Sequence, residues 1–381
     1  MRVALVCAGP YSDLRGSQVL VRQLAAGLRA RRHAVHLVTY GAVPGGKPGP
    51  RPGRIARDVA LVVRLWRTVC REAIDLIHAH NYEAAIAGLL VARLTGRPVV
   101  YHGHNALAEE LPLYFRARPV RWLARRLGLL LDTHVPRRAD FCIAVTEELC
   151  DILRRRGVAE SGLACIAPAA VPGEAESHRA HAGSRGLVCY AGNLDGYQNL
   201  DFLLRSFVRV RMAVPAARLV LVTHAAAGAL RRVAGPGVEI VRAASYDEVR
   251  ARLEAADVAV SPRAERSGFP MKLLNYMAAG KAIVASAGSA KGLRDGVTGR
   301  VVPDGDEMAF AAAVIEMLSD AGARARLGAA ARRAVEDGRA WDGVLERIEA
   351  IYRYVLAARR AARTDPEASA PTGVPVAAPT E

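Results

Sequence analysis

Aromatic residues are scarce: they make up 5% of the 381 positions, although 51% of the chain is hydrophobic. The cores it can build are therefore mostly Ala, Val and Leu. Acidic residues are in short supply too. Asp and Glu number 37 against 53 Lys and Arg, a formal net charge of +16. Such an excess attracts polyanions: nucleic acid, anionic lipid or phosphorylated ligands. It is almost all arginine in an Ala/Arg/Gly-rich chain, so general composition accounts for part of it equally well. No run of 18 apolar residues occurs, and no transmembrane helix is expected. The opening MRVALVCAGP lacks a cleavage signature and is too short for a signal peptide; it reads as a first buried strand. None of the six cysteines forms a C-x-x-C pair. Cys7, Cys142 and Cys189 sit in apolar runs, as reduced core thiols of a cytosolic protein do, which argues against disulfides and zinc. A G-x-G-x-x-G fingerprint is also missing, and so is any nucleic-acid recognition motif.

What is present is rhythm. VALVCAG, SQVLVRQLAAGLRAR and HAVHLVTYG read as strand, helix and strand, a βαβ unit that implies a parallel sheet. The stretch 41–53, GAVPGGKPGPRPG, is too rich in breakers for any element. A helix over 57–72, the strand DLIHAHN, the helix EAAIAGLLVARLTG and the strand RPVVYHGHN follow, then ADFCIAVTEELCDILRRRG as strand and helix with Thr146 as N-cap. After a Pro/Ala/Gly/His-rich break the alternation restarts at GLVCYAGN. The pattern predicts an α/β protein of two doubly wound, Rossmann-like domains: 1–170, a linker at 171–185, and 186–340. A last helix over 341–362 and a disordered tail at 363–381 complete it. In such sheets ligands bind at the carboxyl ends of strands, so two facing halves would share one cleft.

Several constellations lie at those ends. In SGFPMKLLNYMAAG, Gly268 and Pro270 make a turn and a helix begins near Met271, with Lys272 beside it and Arg263 and Arg266 upstream. The amides of a helix start favour an anion; a plain strand-to-helix connection is the bland alternative. GPYSDLRGSQ could bring Gly16 and Ser17 near a phosphate or sugar, or be an ordinary loop with Ser17 as cap. YAGNLDGYQN places Asn193 and Gln198 at a strand end. HAHN and HGHN pair histidines at i and i+2, which share a face of a strand. Zinc would need further ligands, and only the distant Glu109 and Glu110 are on offer. One histidine of each pair is expected to donate to substrate and the other to be structural; His33, His36, His134, His178 and His181 read as bland. Finally, LPLYFRARPVRWLARRLGLLLDTHVPRR mixes Arg118, Arg121, Arg125 and Arg126 with Trp122 and leucines. A helix there suits an anionic membrane surface or lipid-linked substrate, unless its apolar side is simply core.

With both halves in place, the chain resembles a glycosyltransferase of the two-domain GT-B type, family 4, over residues 1 to about 355. The most specific likeness is SPRAERSGFPMKLLNYMAAGKAIVAS followed by GVTGRVVPDGD, supported by the Gly16–Ser17 loop, HAHN and HGHNALAEELPLYF. The resemblance implies that the second half binds a nucleoside-diphosphate sugar. Gly268, Phe269, Pro270 and Met271 would cradle its phosphates, position 275 would hold the ribose and position 267 the sugar. His104 would lie beneath the transferred sugar. The first half would take the acceptor, and the last helix would cross back to it. Transfer with retention, no metal and no cofactor beyond the co-substrate are implied.

The departures are specific. Ser267 and Asn275 replace two glutamates, and Asn193 and Gln198 stand where an Arg and a Lys are usual. A neutral hydrogen bond contributes ~0.5–1.5 kcal/mol and a charged one ~1.5–3, so Asn275 costs little; Ser267 keeps a hydroxyl, with Glu265 nearby. Losing both cations is graver, because positioned charges on a leaving group are worth ~10²–10³ in rate. Lys272, Arg263, Arg266 and Lys291 are candidate replacements. The expected function is therefore sugar transfer to a saccharide or lipid-linked acceptor, with Lys272, His104 and Ser267 in catalytic roles, on the cytoplasmic side and peripheral to the membrane. A degenerate, sugar-nucleotide-binding partner subunit is the alternative. A sugar-nucleotide epimerase ranks third, since no acidic pair presents itself for proton transfer.

Overall fold

The computed structural model describes residues 1–9, 16–41, 52–170, 186–224, 234–264, 268–336 and 339–364. The linker 171–185, most of the Pro/Gly stretch, the tail from 365, and Glu265, Arg266, Ser267, His178 and His181 lie outside them. The chain divides into two compact units. The first is Met1–Pro168, Ser267–Phe269 and Asp342–Glu381; the second is Ala169–Arg266 and Pro270–Trp341.

The first unit runs β1 (Arg2–Cys7), α1 (Gly16–Ala30), β2 (Ala34–Val38), α2 (Pro52–Arg71), β3 (Leu76–His80), α3 (Asn81–Thr95), β4 (Val99–Gly103), α4 (Leu107–Glu110), α5 (Arg118–His134), β5 (Phe141–Ala144), α6 (Glu147–Arg155) and β6 (Leu163–Cys165). Its six strands pair in parallel in the order β2-β1-β3-β4-β5-β6. With this strand order the right-handed crossover rule assigns α2, α3 and α5 to one face and α1 to the other. β3 and β4 are buried along their whole length, as parallel strands covered on both faces must be. Thr146 caps α6 as expected, its hydroxyl accepting from the Leu149 amide at 3.2 Å.

Helix α2 starts inside the stretch read as all breaker, at Pro52. Proline is at home in a first helical turn, where its missing N–H would have had no partner. β6 likewise carries ordered structure through Cys165. All six cysteines are unbridged.

The second unit runs β7 (Leu187–Ala191), α7 (Leu200–Ala213), β8 (Arg218–Thr223), β9 (Val238–Arg242), α8 (Tyr246–Ala255), β10 (Val258–Ser261), α9 (Lys272–Ala278), β11 (Ala282–Ser286), β12 (Arg300–Val302), α10 (Glu307–Ser319) and α11 (Ala321–Glu336). Its sheet is again parallel, in the order β12-β11-β10-β7-β8-β9.

The last helix, α12 (Arg339–Thr364), packs beside α1 of the first unit. A Cβ on Gly27 would meet Leu345 at 2.8 Å, and Arg31 pairs with Asp342, Glu346 and Glu349. His33, read as bland, is part of this seam: its Nε2 lies 2.8 Å from Glu349.

In each sheet the strand order reverses once, at β1/β3 and at β7/β10. Those reversals open the crevices where doubly wound sheets hold ligands. The loops after β7 and β10 carry Asn193–Gln198 and Arg263; His80 ends β3.

Candidate active site

At the β7/β10 reversal the second unit gathers two cations around two neutral residues. Tyr190, next to last in β7, is fully buried, and its hydroxyl donates to the Asn193 carbonyl at 2.7 Å. Asn193 Nδ2 donates to the Tyr197 hydroxyl at 2.7 Å. Its Oδ1 accepts from the Asp195 amide at 3.2 Å. The loop closes as Gln198 N donates to Asp195 O at 2.9 Å. The next residue, Asn199, takes a left-handed backbone, φ 57°, to enter α7. Asparagine is among the few side chains that accept that conformation.

Lys272 reaches into this loop from α9. Its Nζ donates to Gln198 Oε1 at 2.5 Å and stands 4.3 Å from the centre of the Tyr190 ring. Arg263 lies over Tyr197, 5.2 Å from the ring centre. An aromatic face attracts a cation electrostatically. Lys272 and Arg263 thus both reach the loop that carries Asn193 and Gln198. Asn275 is one turn along α9 from Lys272, partly exposed, at a spacing that puts the two on one helix face.

The helix itself is shorter than the sequence suggested. α9 has seven residues, and its leading amides are partly engaged: Leu273 N donates to Pro270 O and Leu274 N to Met271 O. Side-chain charge therefore matters more here than the helix start. Gly268 and Pro270 are buried, and Phe269 and Met271 partly so. Ser267 lies outside the described residues.

A Cβ on Gly288, after β11, would come within 2.0 Å of the Ala264 carbonyl oxygen. Only a glycine lets the loop carrying Arg263 lie so close. Ser289 ties the same loops by donating to Ser261 O at 2.9 Å.

In the first unit the four motif histidines form one cluster. His80 and His102 sit opposite each other on β3 and β4. His104 Nε2 and His80 Nδ1 are 3.0 Å apart, His102 Nδ1 and His78 Nε2 3.0 Å, and His78 Nδ1 and the Tyr352 hydroxyl of α12 2.5 Å. The His80 ring centre lies 4.6 Å from that of His78 and 4.8 Å from that of His102. Burial pushes all four imidazoles down, to about 4 for His104 and about 3 for His78. They are neutral at pH 7. Ligating atoms of His78, His80 and His102 lie within 4.8 Å of one another. Both ring nitrogens of His78 are already engaged, so a metal would have to break those bonds. Asn81, next to His80, also takes a left-handed backbone, φ 67°.

Gly16 and Ser17 open α1, and the Ser17 hydroxyl donates to Gln18 Oε1 at 2.9 Å. Of the residues singled out in the sequence, Asn193, Gln198, Arg263 and Lys272 are thus brought together in the second unit. Gly16, Ser17 and His104 belong to the first.

Helix α5 is amphipathic the wrong way round for a core helix. Its inward residues are Ala124, Gly128 and Asp132. Its outward ones include Trp122 (60% exposed), Leu123 (62%) and Leu127, with Arg118, Arg121, Arg125 and Arg126 among them. Arg126 packs over the Trp122 ring. The neighbouring helices share the habit: Ile55, Val59, Val63 and Trp66 of α2, and Ile86, Leu90 and Leu94 of α3, are exposed. Sequence reading missed these two, although the spacing of Ile55, Val59 and Val63 shows the stripe.

The small inward face has a purpose. The Asp132 carboxylate, buried, accepts from Leu107 N at 2.9 Å, Ala108 N at 3.1 Å and the Tyr82 hydroxyl at 2.5 Å. It supplies the cap that α4 lacks at Ala106. Burial raises its pKa and those hydrogen bonds oppose the rise. A Cβ on Gly128 would stand 2.5 Å from Ala108 Cα. Gly128→Ala is expected to destabilise the protein by about 1–3 kcal/mol through overpacking; a thermal melt unchanged from wild type would contradict the packing.

Comparison with known proteins gives the same picture in both units. Residues 14–169 match the family Glycosyltransferase Family 4, and residues 185–320 match Glycosyl transferases group 1. The phosphatidyl-myo-inositol mannosyltransferase of Mycobacterium leprae is 26% identical over 376 residues, 93% of this chain and 97% of that one. The D-inositol 3-phosphate glycosyltransferase of Salinispora tropica is 25% identical, covering 87% and 74%. Among solved structures, sucrose-phosphate synthase from Thermosynechococcus elongatus superposes with TM-score 0.75 at 20% identity, covering 94% of this chain and 100% of that one. Anabaena HepE in complex with UDP and glucose gives 0.70 at 17%, covering 92% and 98%. The structural likenesses concern the fold.

Proposed function

Because the chain belongs to the GT-B glycosyltransferases of group 1, family 4, we propose that it transfers a sugar, with retention, from a nucleoside diphosphate to a lipid-linked acceptor. The observation that carries the donor half is the Lys272–Gln198 bond over Tyr190. The diphosphate gathers negative charge as the glycosidic bond breaks. Lys272 and Arg263 would neutralise it from the β7/β10 reversal, where a fixed ammonium needs no reorganisation. Gln198 and Tyr190 hold that ammonium in place. Asn275 would accept from a ribose hydroxyl, Ser267 would contact the sugar, and His104 would donate to it from the acceptor domain. The reading assigns no role to a metal, since two side-chain cations serve the diphosphate. HepE, bound to UDP and glucose, supports a nucleotide-sugar donor.

For the acceptor, two observations agree. The mycobacterial relative is named for phosphatidyl-myo-inositol, and α5 turns Trp122, leucines and arginines outward. No described helix is long and apolar enough to cross a membrane. The domains would then be an acceptor domain at 1–170, a donor domain at 186–340 and a returning helix, working at the cytoplasmic face of an anionic membrane.

Thermal unfolding against UDP-, GDP-, ADP- and dTDP-sugars tests the donor site. At 100 times Kd a ligand stabilises by about 2.7 kcal/mol, so one nucleotide class should raise Tm clearly. No shift with any would reject the donor site and leave the partner-subunit reading. For the membrane, the protein should pellet with anionic vesicles at low salt and less at high salt. Trp122→Ser with Leu127→Ser should weaken pelleting at least tenfold, since each buried side chain is worth ~1.5–3 kcal/mol. Stability should move by no more than about 0.5 kcal/mol, as for surface positions. Pelleting that survives both changes would remove α5 from the interface.

A further inference from the structure

The histidine cluster also fixes which nitrogen of His104 carries a proton. His80 Nε2 and His102 Nε2 are buried, and neither has a hydrogen-bond partner among the described residues. A buried carbonyl-like lone pair left alone is tolerated better than a buried N–H left alone. Each neutral imidazole has one N–H and one acceptor nitrogen. The proton of His80 therefore sits on Nδ1, aimed at His104 Nε2, which accepts it across 3.0 Å. The proton of His104 is then on its own Nδ1. The same rule orders the other pair: His102 Nδ1–H donates to His78 Nε2, and His78 Nδ1–H donates to the Tyr352 hydroxyl.

We propose that His80 is a positioning residue: by donating to Nε2 of His104 it locks that ring in the Nδ1–H form, so that His104 offers the sugar a hydrogen-bond donor and not a lone pair. Free histidine favours the opposite form, with the proton on Nε2. Without His80, a neutral His104 would return to it and its ring could turn. His80 itself touches no substrate; it is buried at the end of β3. The ring contacts to His78 and His102 hold it in turn, through Tyr352, to α12. The proposal rests on the reading of His104 as the residue that meets the sugar, but the tautomer can be tested without any substrate.

The test is a long-range proton–nitrogen NMR correlation on the full chain labelled with 15N-histidine, near neutral pH. A His104→Gln spectrum assigns the signals. In the wild type, His104 should show a protonated Nδ1 and an unprotonated Nε2. His80→Leu should return it to the Nε2–H form. His80→Asn, whose amide can donate from nearly the same place, should keep the wild-type pattern. With the donor that the thermal panel selects, His80→Leu should lower kcat about tenfold, the value of one well-made neutral hydrogen bond. KM should change little, and His80→Asn should recover most of the loss. A wild-type His104 protonated on Nε2 overturns the proposal, as does a tautomer unmoved by His80→Leu. If the leucine variant does not fold, the wild-type spectrum alone decides. An absent turnover would count against the transfer reading and leave the tautomer standing.

Discussion

Lys272→Ala should lower turnover by about 10²–10³ while the protein stays folded. The case rests on where the ammonium is held. Its partners are Gln198, in the loop after β7, and Tyr190, in β7 itself; the family resemblance puts that family's own cations at Asn193 and Gln198. Removing it leaves Gln198 Oε1 without its donor, worth about 1 kcal/mol of stability. That is small for a folded unit, whereas turnover depends on the ammonium that meets the negative charge gathering on the leaving group. Lys272→Arg should recover only part of the rate, because a planar fork cannot occupy the site of a compact ammonium. The exchange Gln198→Lys with Lys272→Gln is the sharper test. It returns the cation to the loop and keeps the amide–ammonium pair, so it should recover more turnover than Lys272→Ala does. Turnover of Lys272→Ala within about threefold of wild type would sink the role, since a threefold change is worth less than one hydrogen bond. Arg263→Ala is expected to cost less, its guanidinium being one contact further out over Tyr197.

The two sheets were legible because each strand is a short apolar run followed by a polar end, and each helix has its stripe. The reversal points at β1/β3 and β7/β10 were not, since strand order depends on which crossovers turn back. That is why Asn193 and Gln198 could be read as losses, while the arrival of Lys272 across 74 positions of sequence could only be guessed. The histidine pairs illustrate another limit. The i, i+2 rule puts His78 and His80 on one face, but their union with His102 and His104 depends on register: His80 opposite His102. Helix α5 shows a third. Its apolar stripe was visible, but a stripe turned toward core and one turned toward solvent have the same spacing. The clue lay in the opposite face, where Ala124, Gly128 and Asp132 recur every fourth residue. Small residues at that spacing let a helix lie against backbone, and α4 is what lies there.

Acid should unfold the first unit well before it reaches the ordinary carboxylate range, because the histidine cluster is neutral in the fold. A base whose folded pKa is lowered binds its proton more readily when unfolded. Stability is then fully present above the unfolded value of 6.5 and falls as the pH drops toward the folded values, about 4 for His104 and about 3 for His78. His80 and His102, also pushed down by burial and by their neighbours, act in the same direction. Each such group removes up to about 1.4 kcal/mol per pH unit within that window. Four together give a steep slope for a protein whose whole stability is about 5–15 kcal/mol. Asp132 works the other way, since burial raises its carboxyl pKa, but it is one group against four. Urea unfolding should show a midpoint nearly level from about pH 7.5 to 6.5 and falling from there to about pH 5, with enzyme activity lost alongside. His102→Gln should flatten the slope by about one histidine's share, whatever it does to the absolute stability. A midpoint flat down to about pH 5 would mean that the imidazoles carry protons in the fold.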